Sequence, residues 1–285
     1  MLKGAIAAAV TPLTDGGAAL DLDAVGPLVA FLAEGGVDGA LVAGTTGEGI
    51  LLGVDERRAL AERFLRERPD GFRVAVHAGA QTTAGTVTLA AHAREAGADA
   101  VAVIAPPYFP LDDREVHAHL AAAAEACAPL PFYAYEFTGR SGYAIPVEVV
   151  RRLRDDAPNL AGMKVSDTPW SAVEPYATLG LDLFVGSEPL VLEGFRHGAV
   201  GAVSGLATAF PEITAALVHD RDTEAHLKVT ELRSRLTMPF HAALKAILAA
   251  RGVPVRPDVR APLRRLTPAE HEAALAAARA VGVHV

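Results

Sequence analysis

Lys164 stands in the run Leu160-Ala161-Gly162-Met163-Lys164-Val165-Ser166-Asp167, an ammonium among apolar residues in a segment patterned as a fully buried strand. Burying a charge costs several kcal/mol even after relaxation. A buried lysine therefore favours the neutral amine, which is a nucleophile toward carbonyl carbon. Of the 26 basic residues only Lys3, Lys164, Lys228 and Lys245 are lysine. Where arginine serves for ordinary charge, a lysine inside a strand suggests chemistry that a guanidinium cannot do, and Schiff-base formation is such chemistry. The structural alternative is a salt bridge to Asp167 or Glu188, or a strand-end lysine reaching for water. Lys228 and Lys245 lie in helical patterns and have no comparable claim.

Three further stretches could serve the same chemistry. Gly44-Thr45-Thr46-Gly47-Glu48-Gly49 combines glycines, which let backbone approach a ligand, with two hydroxyls, a composition suited to holding a carboxylate or to forming a plain tight turn. It lacks the Gly-Lys-Ser/Thr ending of a nucleotide-binding loop. Phe132-Tyr133-Ala134-Tyr135-Glu136-Phe137 puts Tyr133, Tyr135 and Phe137 on one strand face, where a phenol could relay protons near Lys164 or simply fill the core. Arg140, just beyond, could bind an anionic substrate group or serve as a surface arginine. Metal ligation is not expected: His117 and His119 diverge on a helix, His77 is isolated, and no His or Cys spacing resembles a zinc site. Cys127 has no basic sequence neighbour to activate it, no Gly-x-Ser-x-Gly elbow occurs, and no cofactor is expected.

These residues need a scaffold that brings strand ends together. Helical segments end at glycine just before short apolar runs in Gly36–Val42, Gly97–Val103, Gly180–Val185 and Gly198–Val203, a recurring αβ joint. Runs at Ala5–Val10, Arg73–Gly79, Phe132–Phe137 and Leu160–Val165 bring the strands to eight. Helical patterns at Asp55–Arg68, Thr82–Ala96, Asp113–Ala126 and Pro146–Asp155 alternate with them. The expected fold is α/β, a (β/α)8 TIM barrel over residues 1–219, with a helical extension over 220–285 packed on it. An open doubly wound sheet is the rival, but no Gly-x-Gly-x-x-Gly fingerprint follows the first strand. In a barrel, reactive groups gather at the C-terminal ends of the strands, where Lys164, the Gly44–Gly49 loop and Tyr135 all fall.

Composition narrows the partners. The chain has 285 residues, 51% hydrophobic, with a net charge of −8, which fits a packed globular protein and argues against a nucleic-acid partner. The run after Met1-Leu2-Lys3 is short and reads as a first strand rather than a signal peptide. The longest uncharged stretch, Val74–Ala93, is too polar for a membrane span. A single cysteine suits a reducing, cytoplasmic setting.

Gly44-Thr45-Thr46-Gly47-Glu48, Tyr108, the strand with Tyr135 and Gly162-Met163-Lys164 occur in the order found in the dihydrodipicolinate synthase and N-acetylneuraminate lyase family of pyruvate aldolases, which the chain resembles over most of its length. The resemblance implies a homotetrameric barrel enzyme in which Lys164 forms an iminium with pyruvate. Thr45 and Thr46 would hold the pyruvate carboxylate. Tyr135 would shuttle protons with Thr45 and Tyr108 as relay members, Tyr108 often acting across a subunit contact. Gly47, Gly186 and Val203 belong with the expected substrate-binding set, and Arg140, Ser166 and Glu188 are its candidates for the variable end of the substrate.

Subfamily signals are mixed. Pro131–Tyr135 and Met163–Asp167 resemble the sialic acid lyase branch, whereas Arg140-Ser141-Gly142 resembles the synthase branch, where that arginine binds the aldehyde's carboxylate. Glu136 and Thr138 replace the synthase's Asn and Pro, Gly205 replaces a lyase serine, and Pro189 replaces the second acidic residue after Gly186. The partner expected with pyruvate is an aldehyde, and the expected 2-oxo acid is a 2-oxo-3-deoxy sugar acid or a sialic-acid-like compound. Condensation with aspartate semialdehyde is the alternative within the family. A metal-dependent aldolase or hydratase and a non-catalytic barrel that binds a small acid are the readings from other classes.

Overall fold

The short apolar runs become strands buried on both faces, as a parallel sheet wrapped by helices requires. In the computed structural model, which describes residues 1–237 and 239–285, they are Gly4–Ala8, Gly39–Val42, Arg73–His77, Ala100–Ile104, Phe132–Glu136, Leu160–Val165, Asp182–Val185 and Gly201–Ser204. Neighbours pair in parallel, and the first strand meets both the second (Ile6 with Gly39) and the eighth (Gly4 with Gly201), which closes the barrel. The fold is the expected (β/α)8 barrel followed by helices.

Alternation along the strands sorts the core into two. Ile6, Leu41, Ala75, Ala102, Tyr133, Phe184 and Val203 fill the lumen, while Ala7, Val42, Val76, Val103, Ala134 and Met163 face the surrounding helices. The αβ joints follow their sequence: Gly36, Gly97, Gly180 and Gly198 have φ of 83°, 80°, 67° and 84°, the left-handed conformation in which glycine ends a helix. Helix starts are capped by side chains. Thr82 accepts from the Gly85 N–H before Thr83–Glu95, and Asp112 accepts from the Glu115 N–H before Asp113–Cys127. Pro146, expected in a first helical turn, sits one position earlier, as the cap of Val147–Asp156.

Gly162 shows how the lumen prepares the site. A Cβ on it would lie 2.2 Å from the Asp182 carbonyl oxygen and 2.8 Å from Tyr133 Cε1, so the missing side chain leaves room for the Tyr133 ring. Two residues on, the same strand face presents Lys164 in register with Tyr135, one level nearer the C-terminal mouth.

After the eighth strand the described residues form the helices Pro211–His219, Thr223–Arg235, Phe240–Ala250 and Pro268–Ala280. The third of these is tied to the second strand's exit loop through Lys245, whose ammonium donates to Glu48 Oε1 at 2.5 Å and to the Asp258 carbonyl at 2.6 Å. Both side chains are fully buried. Lys245 thus has a fixed structural task that its helical pattern did not reveal. No helix among the described residues is long and apolar enough to cross a membrane.

Candidate active site

Lys164 is 6% exposed at the top of the lumen, with Nζ 4.0 Å from the centroid of the Tyr135 ring. Among the described residues no carboxylate lies within salt-bridge distance of Nζ. Asp167 instead accepts from the Thr138 N–H at 3.2 Å, and Glu188 is held by Ser204 and the Leu206 N–H. The salt-bridge alternative is therefore not what this lysine does. An amine without a carboxylate partner, facing a cavity, is available as a nucleophile.

Tyr135, 1% exposed, shares a 3.2 Å hydrogen bond between its hydroxyl and Thr45 Oγ1. Behind it the His77 ring stands edge-on at 6.0 Å between centroids. His77 Nδ1 lies 3.1 Å from the Ala43 carbonyl, and its Nε2 lies 3.4 Å from the Ile104 N–H, so the ring donates from Nδ1 and accepts at Nε2. Burial, helped by the Arg57 guanidinium, pushes the imidazole down to about 3, so it stays neutral. Arg57 is buried as well and donates to the His77 and Gly79 carbonyls at 2.6 and 2.8 Å. Tyr133, the other candidate tyrosine, packs edge-on against Phe184 deeper in the lumen. Burial pushes its phenol up to about 12, so it is a core aromatic.

The loop carrying Thr45 and Thr46 is wedged from several sides. The Gly47 carbonyl accepts from Thr11 Oγ1 at 2.5 Å, and His241 Nε2 donates to the Thr45 carbonyl at 3.0 Å. Glu48 adopts φ of 58°, a strained conformation for a residue with a side chain. Lys245 and the Arg260 N–H, bound to its two carboxylate oxygens, hold it there. Burial lowers the His241 pKa, so this ring too is a neutral donor.

These groups line a cavity of about 380 Å³ that also receives Arg140, Ser166, Gly186, Glu188 and Val203. Eight of the predicted residues with Lys164, Tyr135, Thr45 and Thr46 among them thus converge, together with Arg140, on one opening. Gly47 and Tyr108 do not. Gly47 lies beneath the loop, where a Cβ would sit 2.9 Å from the Ala9 carbonyl oxygen. Tyr108 is 82% exposed and packs edge-on with Phe109, so within one chain it lies outside the cavity wall. Arg233, Phe240 and His241 of the C-terminal helices also line the cavity, although nothing in their sequence neighbourhood marked them.

One carboxyl group sits just outside. Glu136, 1% exposed, faces away from the lumen and accepts from the Ile145 N–H at 2.7 Å and Thr138 Oγ1 at 2.8 Å. Burial, with the Asp167 carboxylate alongside, raises its pKa to about 8 despite those two donors. The pair fastens the segment bearing Phe137 and Arg140 to the ends of the fifth and sixth strands.

A lysine amine at the C-terminal mouth of a barrel, beside a buried tyrosine and a hydroxyl-bearing loop, defines a class I, Schiff-base-type aldolase or lyase. A family model described as the Dihydrodipicolinate synthetase family matches residues 1–281. N-acetylneuraminate lyase of Rattus norvegicus is 35% identical over 210 residues, which take in 71% of this chain and 65% of the rat protein. The 4-hydroxy-tetrahydrodipicolinate synthase of Bartonella quintana is 31% identical over 264 residues, 89% of each chain. Among solved structures, Proteus mirabilis N-acetylneuraminate lyase has a TM-score of 0.90 at 28% identity, covering 99% of both chains. Dihydrodipicolinate synthase from Aquifex aeolicus has a TM-score of 0.92 at 25% identity, covering 100% of this chain and 99% of that one. The chain belongs to the dihydrodipicolinate synthetase family.

Proposed function

We propose that this protein cleaves or forms the C3–C4 bond of a 2-oxo acid, with pyruvate as one product or substrate and an aldehyde as the other. The observation that carries the reading is Lys164, buried without a carboxylate partner, beside a Tyr135 hydroxyl bonded to Thr45. The amine attacks C2 of the 2-oxo acid, and Tyr135 gives a proton to the C2 oxygen, which leaves as water and yields the iminium. Tyr135 then takes the proton of the C4 hydroxyl while the C3–C4 electrons move onto the iminium nitrogen, releasing an aldehyde and an enamine. Protonation of the enamine at C3 and hydrolysis of the iminium free pyruvate and restore the amine. Thr45 and Thr46 hold the C1 carboxylate, which fixes C2 at the amine.

The favoured substrates are 2-oxo-3-deoxy sugar acids or sialic-acid-like compounds, because Ser166 and Glu188 supply polar contacts for a hydroxylated chain beyond C4. Condensation with aspartate semialdehyde is the second reading, favoured by Arg140 at the mouth. Residues 1–219 act as the catalytic barrel, with 220–285 as a helical region that completes its mouth. Tyr108 and Phe109, exposed side by side, support assembly into a homotetramer that brings Tyr108 to a neighbouring site. Cys127, buried and unpaired, supports a cytoplasmic setting. Pyruvate release, followed with 2-oxo-3-deoxy sugar acids and sialic acid beside condensation with aspartate semialdehyde, tests the reading. Turnover in none of these assays would overturn it.

A further inference from the structure

Two acidic residues flank the cavity without lining it. Glu136 lies between Tyr135 and Phe137, and Asp167 lies between Ser166 and Thr168; those four neighbours line the cavity, and the two acids do not. Thr138 joins the acids. Its N–H donates to Asp167 Oδ2 at 3.2 Å, and its Oγ1 stands 2.8 Å from Glu136 Oε1 and 3.4 Å from Asp167 Oδ2. The Ile145 N–H donates to the other Glu136 oxygen at 2.7 Å. The end of the fifth strand, which leads into Phe137 and Arg140, is thereby tied to the end of the sixth, which leads into Ser166 and Thr168.

Counting protons shows what this bridge needs. A hydroxyl carries one hydrogen, so with both acids ionised Thr138 Oγ1 donates to one of them and meets the other oxygen to oxygen. Among the described residues no lysine, arginine or histidine lies within salt-bridge distance of either acid. Tyr143 and Tyr176 also face Glu136, but their hydroxyls donate to the Pro106 and Ile145 carbonyls at 2.9 and 2.7 Å. Burial raises both phenols, so they stay neutral. Glu115, which acts on Tyr143, brings only negative charge and accepts from the Asp112 N–H at 2.8 Å. Arg140, on the bridged segment itself, donates to the Gly139 carbonyl and lies 5.3 Å from the Phe137 ring centroid. Two carboxyls so placed, without a cation, retain one proton between them. That proton completes the chain: the acid form of Glu136 donates to Thr138 Oγ1, which is then free to donate to Asp167. The raised pKa of Glu136, due first to burial and then to Asp167, agrees with the count.

We propose that Glu136 and Asp167 share one proton through Thr138, and that this bridge positions the cavity wall at residues 137–140 against the wall at residues 166–168. Loss of the proton leaves two carboxylates on one hydroxyl, and their repulsion loosens the turn that Thr138 begins. In that turn the Arg140 and Ser141 N–H groups donate to the Phe137 carbonyl, and the Gly142 N–H donates to the Thr138 carbonyl. Glu136 is a positioning residue, since it lines no part of the cavity. Pyruvate, in the proposed reaction, is held by Lys164, Thr45 and Thr46 on other segments, so the loosening falls on the part of a substrate beyond C3. This catalytic consequence rests on the proposed Schiff-base function; the proton bridge does not.

Amide hydrogen exchange of the full chain, corrected for the intrinsic rate, reads the bridge directly. Between about pH 6.5 and about pH 9.5, protection across residues 138–142 should fall about three- to tenfold, the worth of one hydrogen bond. Glu136→Gln and Asp167→Asn each remove one charge and keep a bridging group, so neither should show that fall. The same pH dependence in the wild-type protein and both variants would overturn the proposal. Glu136→Ala, which has no bridge, should show the lowered protection already at the acidic end; if it does not fold, the two isosteric variants still decide. The catalytic arm follows KM for a 2-oxo-3-deoxy sugar acid over the same range. It should rise by a similar factor in the wild-type protein relative to either isosteric variant, while the yield of borohydride-trapped pyruvate on Lys164 stays equal among the three. Parallel KM profiles would overturn the positioning role. Absence of both turnover and adduct would remove the Schiff-base reading alone, because the exchange measurement decides the bridge without it.

Discussion

Tyr135 and Lys164 divide the chemistry in a way that single substitutions can separate. In the proposed mechanism the covalent bond belongs to the amine, and proton movement belongs to the phenol bonded to Thr45. Tyr135→Phe is expected to retain the pyruvate adduct while slowing turnover about 10²- to 10⁴-fold, the usual worth of general acid–base catalysis. Single-turnover trapping beside steady-state rates checks this, and wild-type turnover in the variant would remove the tyrosine from the mechanism. Glu136 makes a separate prediction about pH. Its folded-state pKa, raised to about 8 chiefly by burial, exceeds the unfolded value, so the stability it contributes is present at low pH and is lost as pH rises through about 8. Urea unfolding should therefore show Glu136→Gln gaining on the wild-type protein as pH rises from about 5 to about 9. A constant difference across that range would contradict the assignment.

At the scale of elements, the loop after the second strand depends on a helix nearly at the other end of the chain. Lys245→Met would leave Glu48 buried with only the Arg260 N–H on one oxygen, and breaking such a pair costs about 3–5 kcal/mol. The thermal midpoint should fall, and the surviving folded enzyme should show a raised KM for pyruvate, because the loop holding Thr45 and Thr46 loses its brace. An unchanged midpoint would mean that the pair does not hold the loop. This dependence also marks where sequence reading stops. Lys164 and Tyr135 were legible because a period of two fixes which strand residues share a face, and the glycine joints announced where strands begin. Arg233, His241 and Lys245 were not, because helical periodicity says which residues share a face but not what that face meets. Lys245 looked like any helical lysine until the Phe240–Ala250 helix was seated over Glu48.

At the scale of the whole molecule, the barrel was readable from four glycine joints and four further apolar runs, eight strands in all, and the closing pair of first and eighth strands follows from that count. The proposed relay role of Tyr108 would need a neighbouring subunit, because in one chain this tyrosine stands 82% exposed beside Phe109. Tyr108→Ala combined with Phe109→Ala is expected to weaken association, read by light scattering over a dilution series, and to lower kcat more than the loss of an isolated surface tyrosine would. Unchanged mass and unchanged kcat would place both aromatics outside the functional assembly.

The most direct test of the whole account is reductive trapping. Protein incubated with pyruvate and borohydride, then digested and mapped by mass spectrometry, should carry one adduct, on the peptide containing Lys164, and Lys164→Ala should carry none. An unmodified Lys164 at saturating pyruvate, or an adduct on Lys3, Lys228 or Lys245 instead, would contradict the central claim.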